Sequence, residues 1–157
     1  MITVQDGLRN LKFEGELLAA SSSRIKKKFR WVEFRLYRTE SGRFVISRVG
    51  VSMIYHQKAC SVVSRNNIAP VPSNAIGVNL VPCDDCRPDK DHDYELYPET
   101  SRYHAQILDT AEGVVSSLKK YDEFGTEYLT IVAKKLLEEA SKKDNEIHSA
   151  YYEEWID

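Results

Sequence analysis

The chain of 157 residues is 42% hydrophobic and 29% charged, which excludes a disordered polymer and fits one domain, or one domain with an appended helical segment. No apolar run approaches the roughly 18 residues of a membrane helix, and residues 1–10 lack a signal-peptide core, so a cytoplasmic protein without membrane insertion is expected. The net charge of −2 hides an asymmetry: residues 1–72 carry 13 Lys and Arg against 5 Asp and Glu, and residues 73–157 carry 9 against 19. Such a split gives either a bipolar surface or two halves that attract each other.

The first part of the chain, 1–65, reads mainly as β-structure. Leu11 to Leu18 alternates loosely and predicts one strand, followed by a polar connection from Ser21 through Lys26-Lys27-Lys28. Residues 31–38 are β-rich with period two, placing Val32, Phe34 and Leu36 on one face and Trp31, Glu33, Arg35 and Tyr37 on the other. Glu40-Ser41-Gly42-Arg43 supplies turn chemistry before Phe44–Val49, which predicts a β-hairpin, and Val51–Tyr55 predicts a further strand of an antiparallel meander.

Residues 66–93 are broken repeatedly by Asn, Pro and Gly, including Pro70, Pro72, Gly77, Pro82 and Pro88. So long an irregular stretch inside one domain needs a pin. Residues 103–157 read mainly as helix after a short strand at Tyr103–Leu108. Asp109 with Glu112 predicts a capped start, with Val114, Val115 and Leu118 facing inward. Leu129, Val132, Ala133, Leu136, Leu137 and Ala140 form an apolar stripe of helical period and predict a helix from about Glu123 to Lys143. Asp144-Asn145 then caps a last helix carrying Ile147, Tyr151 and Trp155 at four-residue steps. The expected architecture over 1–157 is a single α+β domain with an N-terminal antiparallel sheet, a central zinc-pinned loop and C-terminal helices.

The chemistry sits in that loop. All three cysteines belong to one pattern, His56-x3-Cys60, then 22 residues, then Cys83-x2-Cys86. An odd cysteine count fits a disulfide framework poorly, and clustered thiols in a reducing compartment point to metal or redox chemistry. Two thiolates on a tight C-x2-C turn reach one ion at about 2.3 Å each, and three soft sulfurs with one imidazole favour zinc over magnesium or calcium. The pattern predicts a structural zinc held by His56, Cys60, Cys83 and Cys86. The same residues also suit a redox pair, or small buried apolar cysteines beside a core histidine.

Tyr55-His56-x3-Cys60 and Pro82-Cys83-x2-Cys86-Arg87-Pro88 resemble the zinc-binding segment of the Ada family of DNA alkyl-phosphotriester repair proteins. In that family a first ligand also lies four residues before a cysteine, and a P-C-x2-C-x-P-like turn closes the site. The resemblance covers residues 55–88, about a fifth of the chain, and implies metal ligation by His56, Cys60, Cys83 and Cys86. His56 stands where that family has its methyl-accepting cysteine, so the resemblance does not carry methyl transfer. No DNA-recognition helix of that family is evident in the remaining chain.

Arg24-Ile25-Lys26-Lys27-Lys28-Phe29-Arg30-Trp31 interleaves cations with aromatics, which suits phosphate neutralisation and base stacking. With Arg35 and Arg43 on the following hairpin, a basic-aromatic face results if Trp31 and Tyr37 are exposed. The alternative is a solvated loop between two strands. These features favour a non-enzymatic zinc-stabilised module that contacts nucleic acid through Arg24, Lys26, Lys27, Lys28, Arg30, Trp31, Arg35 and Arg43. A protein-interaction adaptor or inhibitor docking on a larger complex is the alternative. A small metal-dependent hydrolase or nuclease would draw on His92, His104, Asp89, Asp91 and Asp93, but there is no P-loop, dinucleotide glycine pattern or nucleophile elbow.

Overall fold

The period-two runs at 31–38 and 44–49 build strands in the computed structural model, which describes every residue except Trp155 and Asp157. In chain order the first elements are β1 (Ile2–Asp6), β2 (Arg9–Phe13), β3 (Gly15–Ser22), β4 (Arg30–Thr39), β5 (Phe44–Ser52) and β6 (Ile54–His56). There follow α1 (Ser61–Arg65), β7 (Val71–Pro72), β8 (Val81–Pro82), β9 (Glu95–Pro98) and β10 (Arg102–Leu108). The chain continues with α2 (Ala111–Leu118), β11 (Lys120–Tyr121), β12 (Glu127–Tyr128), α3 (Ile131–Ser141) and α4 (Asn145–Tyr152). The fold is α+β, with antiparallel sheet first and most helix last. The chain divides into two compact units. The first comprises Met1–Ser23, Val32–Val49 and Tyr103–Asp157, and the second Arg24–Trp31 and Gly50–Arg102. Among the described residues no helix is long and apolar enough to cross a membrane.

The first unit is built on a sheet in the order β10-β5-β4-β3. Strand alternation sends Leu36, Phe44 and Ile46 into a core with Val114, Val115 and Leu118 of α2, the apolar stripe of α3, and Ile147 of α4. Their neighbours Tyr37 and Val45 point the other way and pack with Val4 and Ala105, and the β1–β2 hairpin adds Ile2, Leu11 and Phe13. The Phe13 ring meets Tyr37 edge-on at 5.5 Å. The expectation of an exposed aromatic face at Tyr37 is therefore overturned, because apolar residues are packed against both faces of this strand.

Several boundaries differ from the expectation. The strand expected over Val51–Tyr55 is split, since β5 runs on through Gly50 to Ser52 and β6 belongs to another sheet, where it pairs with β8 and β9. The strand expected over Leu11–Leu18 is two strands, parted at Glu14, and β3 starts where a Cβ on Gly15 would collide with the Arg38 carbonyl. A bulge between Leu17 and Ala19 then lets both Leu18 and Ala19 enter the core, which destroys the expected alternation. The helix expected from Glu123 begins only at Ile131, where the Thr130 hydroxyl accepts the Ala133 N–H. Before it, Gly125 turns at φ +79° and the Asp122 carboxylate accepts the Phe124 and Thr126 N–H groups, so this segment closes the β11–β12 hairpin. The α2 cap is Thr110, which accepts from Gly113 at 3.0 Å, while Asp109 takes the Arg43 guanidinium at 2.8 Å.

The last helix starts where expected. The Asp144 carboxylate accepts the Ile147 N–H at 3.0 Å and the Arg38 guanidinium at 2.6 Å, and Arg38 in turn lies over the Phe44 ring. Tyr151 packs against the core, and Trp155, expected on the same stripe, lies outside the described residues.

In the second unit the sheet order is β7-β9-β6-β8. β6 runs antiparallel to β9, with His56 opposite Tyr97, and parallel to β8, with Tyr55 opposite Pro82. Tyr55, Ile76 and Leu96 form a small buried cluster with Val71 and Leu80 against it, and Trp31, Val63 and Tyr97 are also buried. A unit of roughly 60 residues has little surface to bury and is marginal on its own core.

Asp144→Ala is expected to lower the unfolding free energy by about 1–3 kcal/mol, because it removes a helix cap and leaves Arg38 without its buried partner. Asp144→Asn should lose less, since the amide oxygen still caps Ile147. Urea unfolding of the two variants beside the unaltered chain measures the difference.

Candidate metal centre

The parallel pairing of β6 with β8 explains how residues far apart in sequence meet. Tyr55 and Pro82 are register partners, and the Cys83 N–H donates to the Tyr55 carbonyl at 2.9 Å, so His56 and Cys83 leave neighbouring strands side by side. After His56 the chain turns, with the Cys60 N–H donating to the Gln57 carbonyl, and Cys60 sits at the head of the short α1. On the other side Cys83-Asp84-Asp85-Cys86 forms a tight turn, closed by the Arg87 N–H on the Cys83 carbonyl at 2.8 Å. Arg87 closes it at φ +46°, a conformation that costs a non-glycine residue about 1–2 kcal/mol and persists only where the surroundings demand it.

The four residues singled out by spacing are brought together. The ligand atoms of His56, Cys60, Cys83 and Cys86 all lie within 4.8 Å of one another, and His56 Nδ1 is 3.9 Å from Cys86 Sγ. Ligands on a tetrahedral ion at about 2.0–2.3 Å are spaced roughly 3.6–3.8 Å apart. The cluster could therefore hold one metal ion after a contraction of about 1 Å or less. His56 is wholly buried, and all three cysteines are free thiols.

Burial pushes the Cys86 thiol up to about 12, with the Gln57 N–H, 3.5 Å from its sulfur, pulling the other way. A bound dication reverses this balance, because coordinating thiols deprotonate outright. The Gln57 N–H then stabilises the sulfur charge that remains.

One residue that bears on the cluster carries no motif. Glu99 lies 43 residues beyond His56, and its Oε2 is 2.5 Å from His56 Nε2. With Nδ1 turned toward the sulfurs, Nε2–H donates to the carboxylate, the arrangement that fixes the tautomer and orientation of a metal-binding imidazole. Glu99 also accepts Arg30 Nε at 2.8 Å and Nη2 at 2.5 Å, and the Ser52 hydroxyl at 2.7 Å. Burial alone would raise this carboxyl, but the hydrogen bonds from Arg30, Ser52 and His56 outweigh it and hold Glu99 at about 2. The carboxylate is thus ionised at neutral pH.

The residues considered for catalysis are not drawn into this cluster. His92 is exposed and pairs with Asp89 at 2.7 Å in the second unit, and His104 is exposed and 3.5 Å from Asp6 in the first. Among the described residues the only group able to hold a metal is that of His56 and the three cysteines.

The basic residues divide. Trp31 is only 8% exposed, and the Arg24 guanidinium sits 4.5 Å from its ring centroid. Arg30 is clamped on Glu99 and Arg43 on Asp109. Trp31 therefore offers no free ring face of the kind expected, and these two arginines have already neutralised carboxylates. Lys26, Lys27, Lys28 and Arg35 are exposed. Comparison with protein-family models, curated sequences and solved structures gives no match, so the reading of the site rests on its own chemistry.

Glu99→Gln keeps the shape of the side chain but weakens its hold on His56, and it is expected to lower zinc affinity about 10- to 100-fold. Competition with a chromophoric chelator reads this directly. Affinity should also fall with pH by up to about tenfold per unit for each thiol proton that zinc displaces, because the thiols bind protons in competition with the metal.

Proposed function

We propose that this protein is a zinc-stabilised binding module, with zinc in a structural role, and that it contacts nucleic acid through the exposed basic turn at 24–29. The observation that carries the reading is the convergence of one buried imidazole and three sulfurs within 4.8 Å, in a unit whose own apolar cluster is small. Four protein ligands complete a tetrahedron and leave no position for a reactive water, which is the pattern of structural rather than catalytic zinc. Three sulfur donors also suit zinc better than any hard cation. The likeness of residues 55–88 to the Ada zinc segment supports metal holding, and His56 at the methyl-acceptor position argues against a transfer reaction.

Nucleic acid is favoured by the state of the basic segment. Residues 24–31 hold five cations and no carboxylate, and among the described residues no acidic side chain pairs with Lys26, Lys27 or Lys28. Three adjacent unneutralised ammonium groups on one turn match a phosphate backbone. A second reading, docking on a protein complex, is favoured by the β11–β12 region, where Tyr121, Phe124 and Ile131 are 64%, 85% and 73% exposed.

Native mass spectrometry is expected to find one zinc per chain, and Cys83→Ala to lose both the metal and the folded second unit. Replacing Lys26, Lys27 and Lys28 together by Gln should weaken nucleic-acid binding and flatten its log–log salt slope by about 2. Arg43→Gln should leave binding unchanged, since that charge is committed to Asp109. Unaltered binding by the triple variant would sink the assignment to this turn.

A further inference from the structure

Behind the Lys26-Lys27 turn lies a pocket of about 490 Å³ lined by Arg24, Ile25, Lys26, Lys28, Phe29 and Met53. Its composition is two-sided, with Ile25, Phe29 and Met53 apolar and Arg24, Lys26 and Lys28 cationic. Phe29 is 44% exposed and Ile25 53%, an unusual arrangement for large apolar side chains beside a run of ammonium groups. We propose that this pocket takes one unpaired nucleotide of a single strand, its base against Phe29 and Met53 and its flanking phosphates on Lys26 and Lys28. This inference rests on the nucleic-acid reading above and makes it more specific.

An exposed ring gains from an unpaired base what a duplex does not offer it. A duplex hides the faces of its bases in the stack and presents phosphates and groove edges, so it rewards the lysines but not Phe29. An unpaired base has a free π face, and stacking it on an aromatic side chain is tolerant of sequence. The pocket is also held ready. The Lys28 N–H closes the turn on the Ile25 carbonyl at 3.1 Å, and the Met53 N–H donates to the Phe29 carbonyl at 2.9 Å. Arg30, next in the chain, is clamped to the Glu99 carboxylate that also orients His56. Met53 itself lies three residues before His56, so the pocket wall and the metal centre share one stretch of backbone. A wall fixed in this way loses little conformational freedom when it binds.

The test is fluorescence anisotropy of the zinc-loaded full chain with a labelled single strand of mixed sequence, and with the same strand annealed to its complement. The single strand is expected to bind about tenfold more tightly. Phe29→Ala should weaken the single strand about fivefold or more and leave the duplex unaffected, while Phe29→Trp restores the preference. Equal affinity for both forms, with Phe29→Ala silent and the triple lysine variant weak on both, would overturn the pocket and leave the phosphate-binding reading standing. Binding of neither form, or binding only to anionic phospholipid vesicles, would overturn both.

Discussion

The Glu99 carboxylate accepts hydrogen bonds from His56, Arg30 and Ser52, and the order of the second unit depends on that convergence. Each donor comes from a different stretch of chain: Arg30 from the basic segment, Ser52 from the end of β5, His56 from β6. A half-buried anion with one partner would be a liability, since burying a charge without compensation is expensive. With a bidentate arginine, a hydroxyl and an imidazole, its lone pairs are filled and it becomes a fixed point. The imidazole can then face the sulfurs with only one nitrogen.

That fixed point also connects the cysteine cluster with the basic segment. The basic segment 24–31 is far from the cysteines in sequence, yet Arg30 is bound to Glu99, which also holds His56, and the Phe29 carbonyl accepts the N–H of Met53, just before β6. A metal held by the four candidate ligands would stabilise a unit with a small apolar cluster, contributing by folding rather than by chemistry.

How far the sequence foretold this varied with the kind of information each feature needs. Local periodicity and capping chemistry carried the helices: the stripe at Ala133, Leu136, Leu137 and Ala140, and the Asp144 cap, depend on neighbours within one or two turns. The metal ligands were legible because soft donors at short spacings are rare enough to stand out. Glu99 was not, since a glutamate is common and its role arises only when β9 lies beside β6. The β11–β12 hairpin was hidden because strands of two residues have no period to detect, and the apolar spacing from Leu129 onward masked the turn at Gly125. The buried state of Tyr37 likewise required knowing that Val4, Leu11 and Phe13 would fold over the second face of the sheet. Alternation alone separates two faces and says nothing about which of them is covered.

The connectivity of the two units carries a further consequence. β5 and β10 are neighbours in the sheet of the first unit, yet about 50 residues of the second unit lie between them in sequence. Pairing those strands requires closing a long loop, and the entropy of closure grows with the logarithm of its length. A metal tying His56 to Cys86, 30 positions apart, would remove the intervening segment from the flexible part and leave about 20 free residues. The gain would be about 1 kcal/mol, and it would accrue to a sheet that contains none of the candidate ligands. Metal bound at this cluster would thus enter the assembly of the first sheet as a polymer effect, through the length of slack it takes up between two strands.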